Sequence, residues 1–231
     1  MSDPETAGVP ADLKARLKAS YDAMAPTYNE WTIPHSQQRT EYLGKALDRL
    51  KPESRPDDGL AFLELGCGCG LPVTERLLSY RAARVVANDL SDTQVSLARE
   101  NLIPGPEDEA ARRLELIQGD MTALEFADAS FDLVVAFYSV IHLPRAEQTA
   151  LLARVARWLK PGGYLVANFA KEELEAVVME KWLDERGWMF WSAWGEEKTL
   201  EMVKTAGLEV VVADVVEDVV DASFLWVIAR R

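Results

Sequence analysis

The chain has 231 residues and a formal net charge of −13, with 38 acidic against 25 basic residues. This length fits one large domain with its own core, and 48% hydrophobic with 27% charged residues is typical of a globular protein. The negative charge argues against a nucleic-acid substrate and against anionic membrane surfaces, because both favour a basic face.

No targeting or membrane segment is apparent along the chain. No apolar stretch reaches the ~18 residues that a bilayer requires, and residues 1–8 lack the basic start and apolar core of a secretory signal. We therefore expect a cytoplasmic protein that acts on a small molecule, with no nucleic-acid and no membrane partner. The sequence leaves open whether it is a monomer or a homodimer.

The N-terminal part is predicted to be a disordered tail, residues 1–12, followed by a helical cap, residues 13–58. Apolar residues recur at helical spacing up to Pro26, which is expected to end the first helix. The same pattern returns further on and stops at Pro52, within a polar connector that spans residues 51–59.

A glycine-rich loop is the most informative feature of the chain. A strand-like apolar run with an embedded acid, Glu64, ends in glycines at every second position, Gly66, Gly68 and Gly70. Without a Cβ at these positions, a strand can turn sharply and place its backbone against a ligand. Asp89 ends the next apolar run, and an acid at that place suits the paired hydroxyls of a ribose. The pattern therefore predicts a nucleoside site.

The spacing of the glycines separates two kinds of nucleotide site. A dinucleotide fold requires G-x-G-x-x-G, whereas this chain has G-x-G-x-G and thereby resembles the class I S-adenosylmethionine-dependent methyltransferases. Further motifs resemble that family in the same order and extend the likeness over about residues 60–170. They are Gly119-Asp120-Met121, the strand-like Phe131 to Tyr138, and the turn Leu159-Lys160-Pro161-Gly162-Gly163. Such a series is much more specific than a glycine loop alone.

Beyond the connector, strand-like and helix-like patterns alternate, which predicts an α/β fold with a mainly parallel sheet. The resemblance implies a Rossmann-like, seven-stranded sheet with an antiparallel last strand, and the two final strand patterns are close enough in sequence to pair that way. Residues 59–231 are therefore assigned to an S-adenosylmethionine-binding methyltransferase domain. Within its segment 171–195, we expect an inserted amphipathic helix over residues 172–186, followed by an aromatic segment.

The resemblance implies a set of cofactor-binding residues. Glu64 and the glycine loop would lie along the methionine and ribose parts, Asp89 would bind the ribose hydroxyls, and Asp120 would face the adenine amino group. Tyr21 and Tyr28 resemble an N-terminal segment that closes over the cofactor in quinone-type methyltransferases. The full predicted set is Tyr21, Tyr28, Glu64, Gly66, Cys67, Gly68, Gly70, Asp89, Leu90, Asp120, Met121 and Phe137.

Each of these side chains also has a plain structural interpretation. Glu64 would then be a satisfied buried acid, Asp89 a charge at a helix start, and Asp120 a turn-forming residue. Tyr21 lies on the apolar face of its helix and would simply pack there. The only two cysteines lie inside the glycine loop, where we expect them to fill small-residue positions rather than form a disulfide or bind a metal.

Methyl transfer from a sulfonium is an in-line displacement in which positioning alone can lower the barrier considerably. A catalytic base is therefore optional, and the candidates are the only two histidines, His142 and His35. His142 follows the strand-like motif Phe131 to Tyr138, where a neutral imidazole could take a proton near pH 7. Alternatively, it could have a structural role at a helix start. His35 lies in the cap and is the second candidate.

The aromatic cluster from Trp188 to Trp194 is the candidate acceptor wall. Four aromatic residues in seven, outside any predicted strand or long helix, would line a partly apolar cavity, and core packing is the alternative. Such rings also hold cations over their faces, which admits an amine acceptor. The predicted substrate residues are Trp31, Tyr138, Phe169, Met189, Phe190, Trp191 and Trp194.

These observations predict a methyltransferase that uses S-adenosyl-L-methionine and no metal. Its acceptor would be O or N of a small, partly apolar or aromatic molecule. The stretch Phe137-Tyr138-Ser139-Val140 lacks the D/N-P-P-Y/F signature of methyltransferases that act on nucleic-acid amino groups. Two alternatives stay open: a protein or RNA methyltransferase, and a cofactor-binding protein of this fold that transfers no methyl group.

Overall fold

The structure is a computed structural model that describes residues 5, 6, 8–51, 59–103, 105, 107, 109–218 and 222–231, the first two in their backbone only. Within these residues the helices are α1 (Leu13–Thr32), α2 (Gln37–Leu50), α3 (Val73–Leu78), α4 (Asp92–Leu102), α5 (Glu109–Arg113), α6 (Arg145–Trp158) and α7 (Gly195–Thr205). The strands are β1 (Glu5–Thr6), β2 (Ala61–Leu65), β3 (Arg84–Asp89), β4 (Leu114–Gln118), β5 (Phe131–Ala136), β6 (Leu159–Ala170), β7 (Glu173–Glu180), β8 (Trp188–Trp194), β9 (Glu209–Glu217) and β10 (Ser223–Arg230).

Seven strands form the central sheet in the order β4-β3-β2-β5-β6-β10-β9. The five strands from β4 to β6 are parallel, whereas β10 runs antiparallel to both β6 and β9. Strand β5 is buried along its whole length because apolar clusters cover both faces of the sheet. The predicted α/β fold with an antiparallel last strand is confirmed.

The direction of strand order reverses between β2 and β5, with β3 and β4 on one side and β6 on the other. In an open parallel sheet such a reversal leaves a crevice at the carboxyl ends of the two central strands, where ligands bind. Strand β2 ends at Leu65, directly before the glycine loop, and β5 ends at Ala136, directly before Phe137. The topology therefore brings these two segments to one crevice.

Helix α1 continues through Pro26 to Thr32, so the prediction that Pro26 ends it is wrong. A proline inside a helix removes one backbone hydrogen bond and costs about 3 kcal/mol. Met24 and Ala25, directly before it, are fully buried, and burying a methionine side chain alone contributes about 1.5–3 kcal/mol. Tertiary packing of this face therefore offsets the local cost.

Strands β7 and β8 form an antiparallel hairpin, which replaces the amphipathic helix predicted over residues 172–186. The β-branched Val177 and Val178 favour a strand, and the aromatic strand β8 supplies the cross-strand partners that decide the outcome. The turn between the strands requires Gly187, because a Cβ there would lie 1.9 Å from the carbonyl oxygen of Trp182.

The outer edge of β7 is also paired. Glu5 and Thr6, which fall within the predicted disordered tail, pair as β1 with Val178 and Val177 and complete a small sheet, β1-β7-β8. An open strand edge presents unpaired backbone groups that another segment can satisfy, and this explains why these two residues form a strand.

Parts of the predicted tail and connector lie outside the described residues, namely residues 1–4, 7 and 52–58. In the part of the chain that the structure describes, no helix combines the length and the apolar character of a membrane span.

Candidate active site

A cleft lies at the carboxyl ends of β2 and β5, and residues of α1 form one of its walls. A smaller side cavity shares part of the glycine loop with it and is lined by two more predicted residues, Glu64 and Cys67. The predicted cofactor residues on the wall of the cleft itself are Tyr21, Tyr28, Gly66, Gly68, Asp89, Leu90, Asp120, Met121 and Phe137.

The glycine loop packs tightly against its neighbours at two positions. Gly66 has a φ of 79°, and a Cβ there would lie 2.4 Å from the Cβ of Ser139, just beyond β5. Gly70 has a φ of 82°, and its Cβ would lie 2.5 Å from Leu102 of α4. Gly70 therefore supports the loop from behind rather than facing the cleft, whereas Gly66 brings bare backbone to the cleft wall.

Replacing Gly66 with alanine is expected to lower the free energy of unfolding by at least about 2 kcal/mol, because both the positive φ and the contact with Ser139 become strained. The matched control is Gly44→Ala in α2, where a Cβ meets nothing within 4 Å and helix propensity predicts a gain of about 0.5–1 kcal/mol. Denaturant unfolding of both variants checks this. Equal stabilities of the two variants would contradict the packing described for the loop.

Asp89 connects the loop to the following helix. Its Oδ2 accepts a hydrogen bond from the backbone N–H of Gly68 at 2.8 Å, and its Oδ1 accepts one from that of Ser91 at 2.9 Å. Burial raises the pKa of this carboxyl above its usual range, and the two backbone donors partly oppose that effect. Each oxygen keeps a second lone pair, so the carboxylate can also accept two hydroxyl donors from the cleft.

Asp120 stands at the start of the short helical turn after β4. Its Oδ1 accepts a hydrogen bond from the backbone N–H of Thr122 at 2.9 Å, and the Lys14 ammonium of α1 lies 3.4 Å from the same oxygen. Lys14 also pairs with Glu147 of α6 at 2.6 Å. Asp120 therefore stabilises the turn after β4 through its side chain. It also lies on the wall of the cleft.

The side cavity is lined by a carboxyl group, that of Glu64, and by a cation, the guanidinium of Arg39. Glu64 is 4% exposed and accepts a hydrogen bond from the Thr74 hydroxyl, and burial raises its pKa to about 8. The Arg39 guanidinium of α2 lines the same cavity, and its hydrogen bonds go to neutral oxygens of Thr32 and Ser36. The guanidinium also lies over the ring of Tyr138, at 4.6 Å from the ring centroid.

Tyr21 and His142 are joined across the cleft. The Nδ1 of His142 lies 2.8 Å from the carbonyl oxygen of Phe190, which can only accept, so Nδ1 carries the proton. The Nε2 of His142 then accepts from the Tyr21 hydroxyl at 2.9 Å. Burial lowers the pKa of His142 to about 4, and the nearby Lys14 charge acts in the same direction. Both ring nitrogens are therefore engaged in a neutral ring.

The predicted substrate residues do not all lie in the cleft. Tyr138 lines the cleft with a φ of 51°, and its hydroxyl donates to Asp218 at 2.9 Å. Trp31 and Trp191 lie outside the cleft lining and both contact Trp182, at 5.9 Å between ring centroids.

Four of the predicted substrate residues, and His35, lie outside the lining of the cleft. The prediction that the aromatic segment lies outside any strand is wrong, because it forms β8. Because β8 is a strand, its successive side chains point to opposite faces, so the aromatic segment cannot form a single wall. His35 is exposed, and its Nδ1 donates a hydrogen bond to the Trp31 carbonyl oxygen, 2.7 Å away. Buried in the core are Phe169, Met189 and Phe190, and Trp194 packs on Arg145.

Sequence reasoning missed several residues of the site. Arg39 gives no local signal because it lies on the polar face of a short helix, and Trp182 was taken as part of a helix. Ser139 was noted only for the missing D/N-P-P-Y/F signature, yet its hydroxyl is buried, lines the cleft and has no hydrogen-bond partner among the described residues. Lys14 also lines the cleft. The available signal was its spacing on α1, one turn before Leu17 and two turns before Tyr21, which places the three residues on one face of the helix.

Comparison with known proteins agrees with this geometry. Residues 62–163 match the family model of a methyltransferase domain. The chain is 31% identical over 160 residues to carboxy-S-adenosyl-L-methionine synthase of Shewanella sp. (strain ANA-3), covering 66% of this chain and 61% of that protein. It is 37% identical over 111 residues to cypemycin N-terminal methyltransferase of Streptomyces sp., covering 47% of this chain and 41% of that protein. The chain thus spans less than two thirds of the length of these curated relatives.

Among solved structures, the fold is similar to that of Burkholderia thailandensis 1,6-didemethyltoxoflavin-N1-methyltransferase. The TM-score is 0.72 at 17% identity, and the match covers 100% of this chain and 93% of that chain. At this identity the likeness concerns the fold. In its glycine loop, its strand order and the family match over residues 62–163, the chain is similar to the class I S-adenosylmethionine-dependent methyltransferases.

Proposed function

We propose that this chain transfers a methyl group from S-adenosylmethionine to O or N of a small, partly apolar or aromatic molecule by in-line displacement. The observation that carries the proposal is that the glycine loop, Asp89 and the Tyr21–His142 pair all line one cleft at the switch point of the sheet. A small acceptor is supported by the fold neighbour solved with bound 1,6-didemethyltoxoflavin and S-adenosylhomocysteine.

The side cavity fits the amino-acid end of S-adenosylmethionine, which carries an ammonium and a carboxylate. Glu64 is hydrogen-bonded by a neutral hydroxyl, and Arg39 bonds neutral oxygens. An ammonium beside Glu64 and a carboxylate beside Arg39 would therefore complete two charge pairs. At the other end, Asp89 would accept from the ribose hydroxyls, and the adenine would lie among Leu90, Asp120 and Met121.

When bound, the cofactor supplies a methyl group on a positively charged sulfur. The residues of the chain position the acceptor and exclude water. The Tyr21 hydroxyl donates its hydrogen bond to His142, so its oxygen can present lone pairs to the cleft. The apolar side chains of Leu17, Phe137 and Leu143 line the same space and restrict water. Alignment of the acceptor between these groups lowers the barrier without a dedicated base.

Calorimetry with S-adenosylhomocysteine, followed by detection of its release from S-adenosylmethionine with a panel of phenols and amines, tests this function. Release with a small acceptor supports it. Parallel reactions with tRNA and with histone-like peptides address the alternative of a macromolecular substrate, and turnover restricted to either of them would overturn the proposal. Binding without release for any acceptor would favour a protein that binds the cofactor and transfers no methyl group.

The bond between Tyr21 and His142 predicts a specific NMR result. Because the chain has only two histidines, the ¹⁵N-labelled imidazole of His142 can be assigned by substitution. Since the pKa of His142 is lowered to about 4, its ring should stay neutral and Nδ1-protonated from pH 8 to pH 5.5, and Tyr21→Phe should shift Nε2. Protonation of His142 near pH 6.5 would contradict this arrangement.

The same substitution has an expected effect on turnover. Tyr21→Phe should lower kcat about 100-fold, the lower end of the range for one positioned group near the reacting atoms. Cofactor affinity should change less than about threefold, which is less than a typical hydrogen bond contributes. An unchanged kcat would remove Tyr21 from the reacting groups.

A further inference from the structure

Five aromatic rings form a closed circuit beside the cleft, each in contact with the next. The centroid separations are 5.4 Å from Tyr21 to Tyr28, 6.0 Å to Trp182, 5.9 Å to Trp191, 6.2 Å to His142 and 5.7 Å back to Tyr21. The rings come from α1, the β7–β8 hairpin and the segment after β5, and each is partly exposed. We call this set the ring circuit.

The ring circuit offers no site for an acceptor proton among the described residues. Both nitrogens of His142 are engaged, one by the carbonyl of Phe190 and the other by the Tyr21 hydroxyl. The charged groups that act on these rings are Asp89 at the end of β3, Lys14 from α1 and Arg39 from α2. The two cations cannot take a proton at neutral pH.

The carboxylates of the cleft are engaged elsewhere. Asp89 accepts from the backbone N–H groups of Gly68 and Ser91, and Asp120 accepts from that of Thr122. An alcohol or phenol acceptor must lose a proton to become a strong nucleophile, and a neutral amine need not, because its lone pair is already available. The arrangement therefore favours an acceptor that reacts without prior deprotonation.

We infer that the acceptor atom is an amine nitrogen, and that the ring circuit holds the ammonium that methyl transfer produces. This inference rests on the proposed function and narrows its acceptor from O or N to N. The nitrogen lone pair forms a bond to the methyl carbon while the carbon–sulfur bond breaks, and its electron pair stays on sulfur. The positive charge moves from sulfur to nitrogen, and the product ammonium loses its extra proton, if it has one, to water after release.

The chemistry of the ring circuit supports a cationic occupant. Tryptophan and tyrosine faces attract an ammonium within about 6 Å of the ring centroid, with about 0.5–2 kcal/mol per contact. The net charge of −13 also favours a positively charged product over an anionic one. The neutral His142 adds no repulsion of its own against such a ligand. Of the two cations that act on the rings, Lys14 is paired with Asp120 and Glu147, and Asp89 opposes the effect of Arg39 at Tyr21.

A binding comparison tests the inference without requiring turnover. Phenyltrimethylammonium and its uncharged isostere tert-butylbenzene are titrated into the complex of the chain with S-adenosylhomocysteine. We expect the cation to bind about 10-fold more tightly, as cation–π attraction to one or two rings provides, and Trp191→Leu to remove most of that preference. The matched control is Trp194→Leu on the same strand, whose ring packs on Arg145 outside the circuit, and it should retain the preference.

Equal binding of the two isosteres, or equal effects of the two tryptophan variants, would overturn the inference. Turnover of matched pairs, such as aniline, which is neutral at pH 7, against phenol, adds a second readout, and faster methylation of the phenol would also overturn it while leaving the methyltransferase proposal intact. Failure of S-adenosylhomocysteine to bind at all would instead contradict the proposed function, so the two failures are distinguishable.

Discussion

Replacing Glu64 with glutamine is expected to weaken binding of S-adenosylhomocysteine about 100-fold, because a buried charge partner of the ligand ammonium is lost. The same change should stabilise the ligand-free protein. Burial raises the pKa of Glu64 from 4.5 to about 8, so between these values the folded state binds more protons than the unfolded state. Stability of the wild-type chain therefore falls as pH rises from 4.5 to 8, and the glutamine variant lacks this loss.

The measurement is thermal unfolding of both proteins at pH 5, 7 and 8.5 without ligand, with calorimetry of ligand binding at pH 7. The stability advantage of Glu64→Gln should grow with pH, while its affinity stays low throughout. Wild-type binding at pH 7 should also release a proton, detectable from the buffer dependence of the heat, because the ligand ammonium favours ionised Glu64. Glu75→Gln, an exposed acid in α3, is the control, and matching behaviour of the two variants would contradict the role given to Glu64.

Replacing Asp89 with alanine is expected to weaken S-adenosylhomocysteine binding about 100- to 10,000-fold. Two hydrogen bonds from ribose hydroxyls to a charged acceptor are lost, each contributing about 1.5–3 kcal/mol. The loop also loses the acceptor for the Gly68 and Ser91 N–H groups. Calorimetry measures the affinity, and circular dichroism checks that the variant is folded.

Asp89→Asn separates the two contributions, because an amide keeps one acceptor oxygen of similar size and loses the charge. Its affinity should fall between those of the wild type and the alanine variant. Asp92→Ala provides the control on the same loop-to-helix segment, since Asp92 is exposed and pairs with Lys18. An unchanged affinity of Asp89→Ala would show that the ribose does not bind there.

The fold and the centre of the cleft were predictable because their signals are local. Glycines at alternate positions after an apolar strand specify a turn with positive φ, as Gly66, Gly68 and Gly70 show. The capping pattern at Ser91 and Gln94 likewise gives a helix start, and the Ser91 hydroxyl accepts from the backbone N–H of Gln94 at 3.1 Å.

Features that depend on distant packing were not predictable in the same way. The helix over Pro26 persists because its neighbours are buried by other elements, and β7 exists because β8 pairs with it. The position of Phe190 in the core follows from the alternation of side chains along β8, a segment that was not predicted to be a strand. Arg39 reaches the side cavity only because α2 meets it, and no pattern in α2 itself marks this residue.

Isothermal titration calorimetry of the purified chain with S-adenosylhomocysteine, run in parallel with nicotinamide adenine dinucleotide, tests directly whether the glycine loop and its two acids form an adenosyl-sulfonium site. We expect one S-adenosylhomocysteine to bind per chain, with affinity in the micromolar range typical of such ligands, and no heat from the dinucleotide. Tight binding of the dinucleotide without any heat from S-adenosylhomocysteine or S-adenosylmethionine would contradict it.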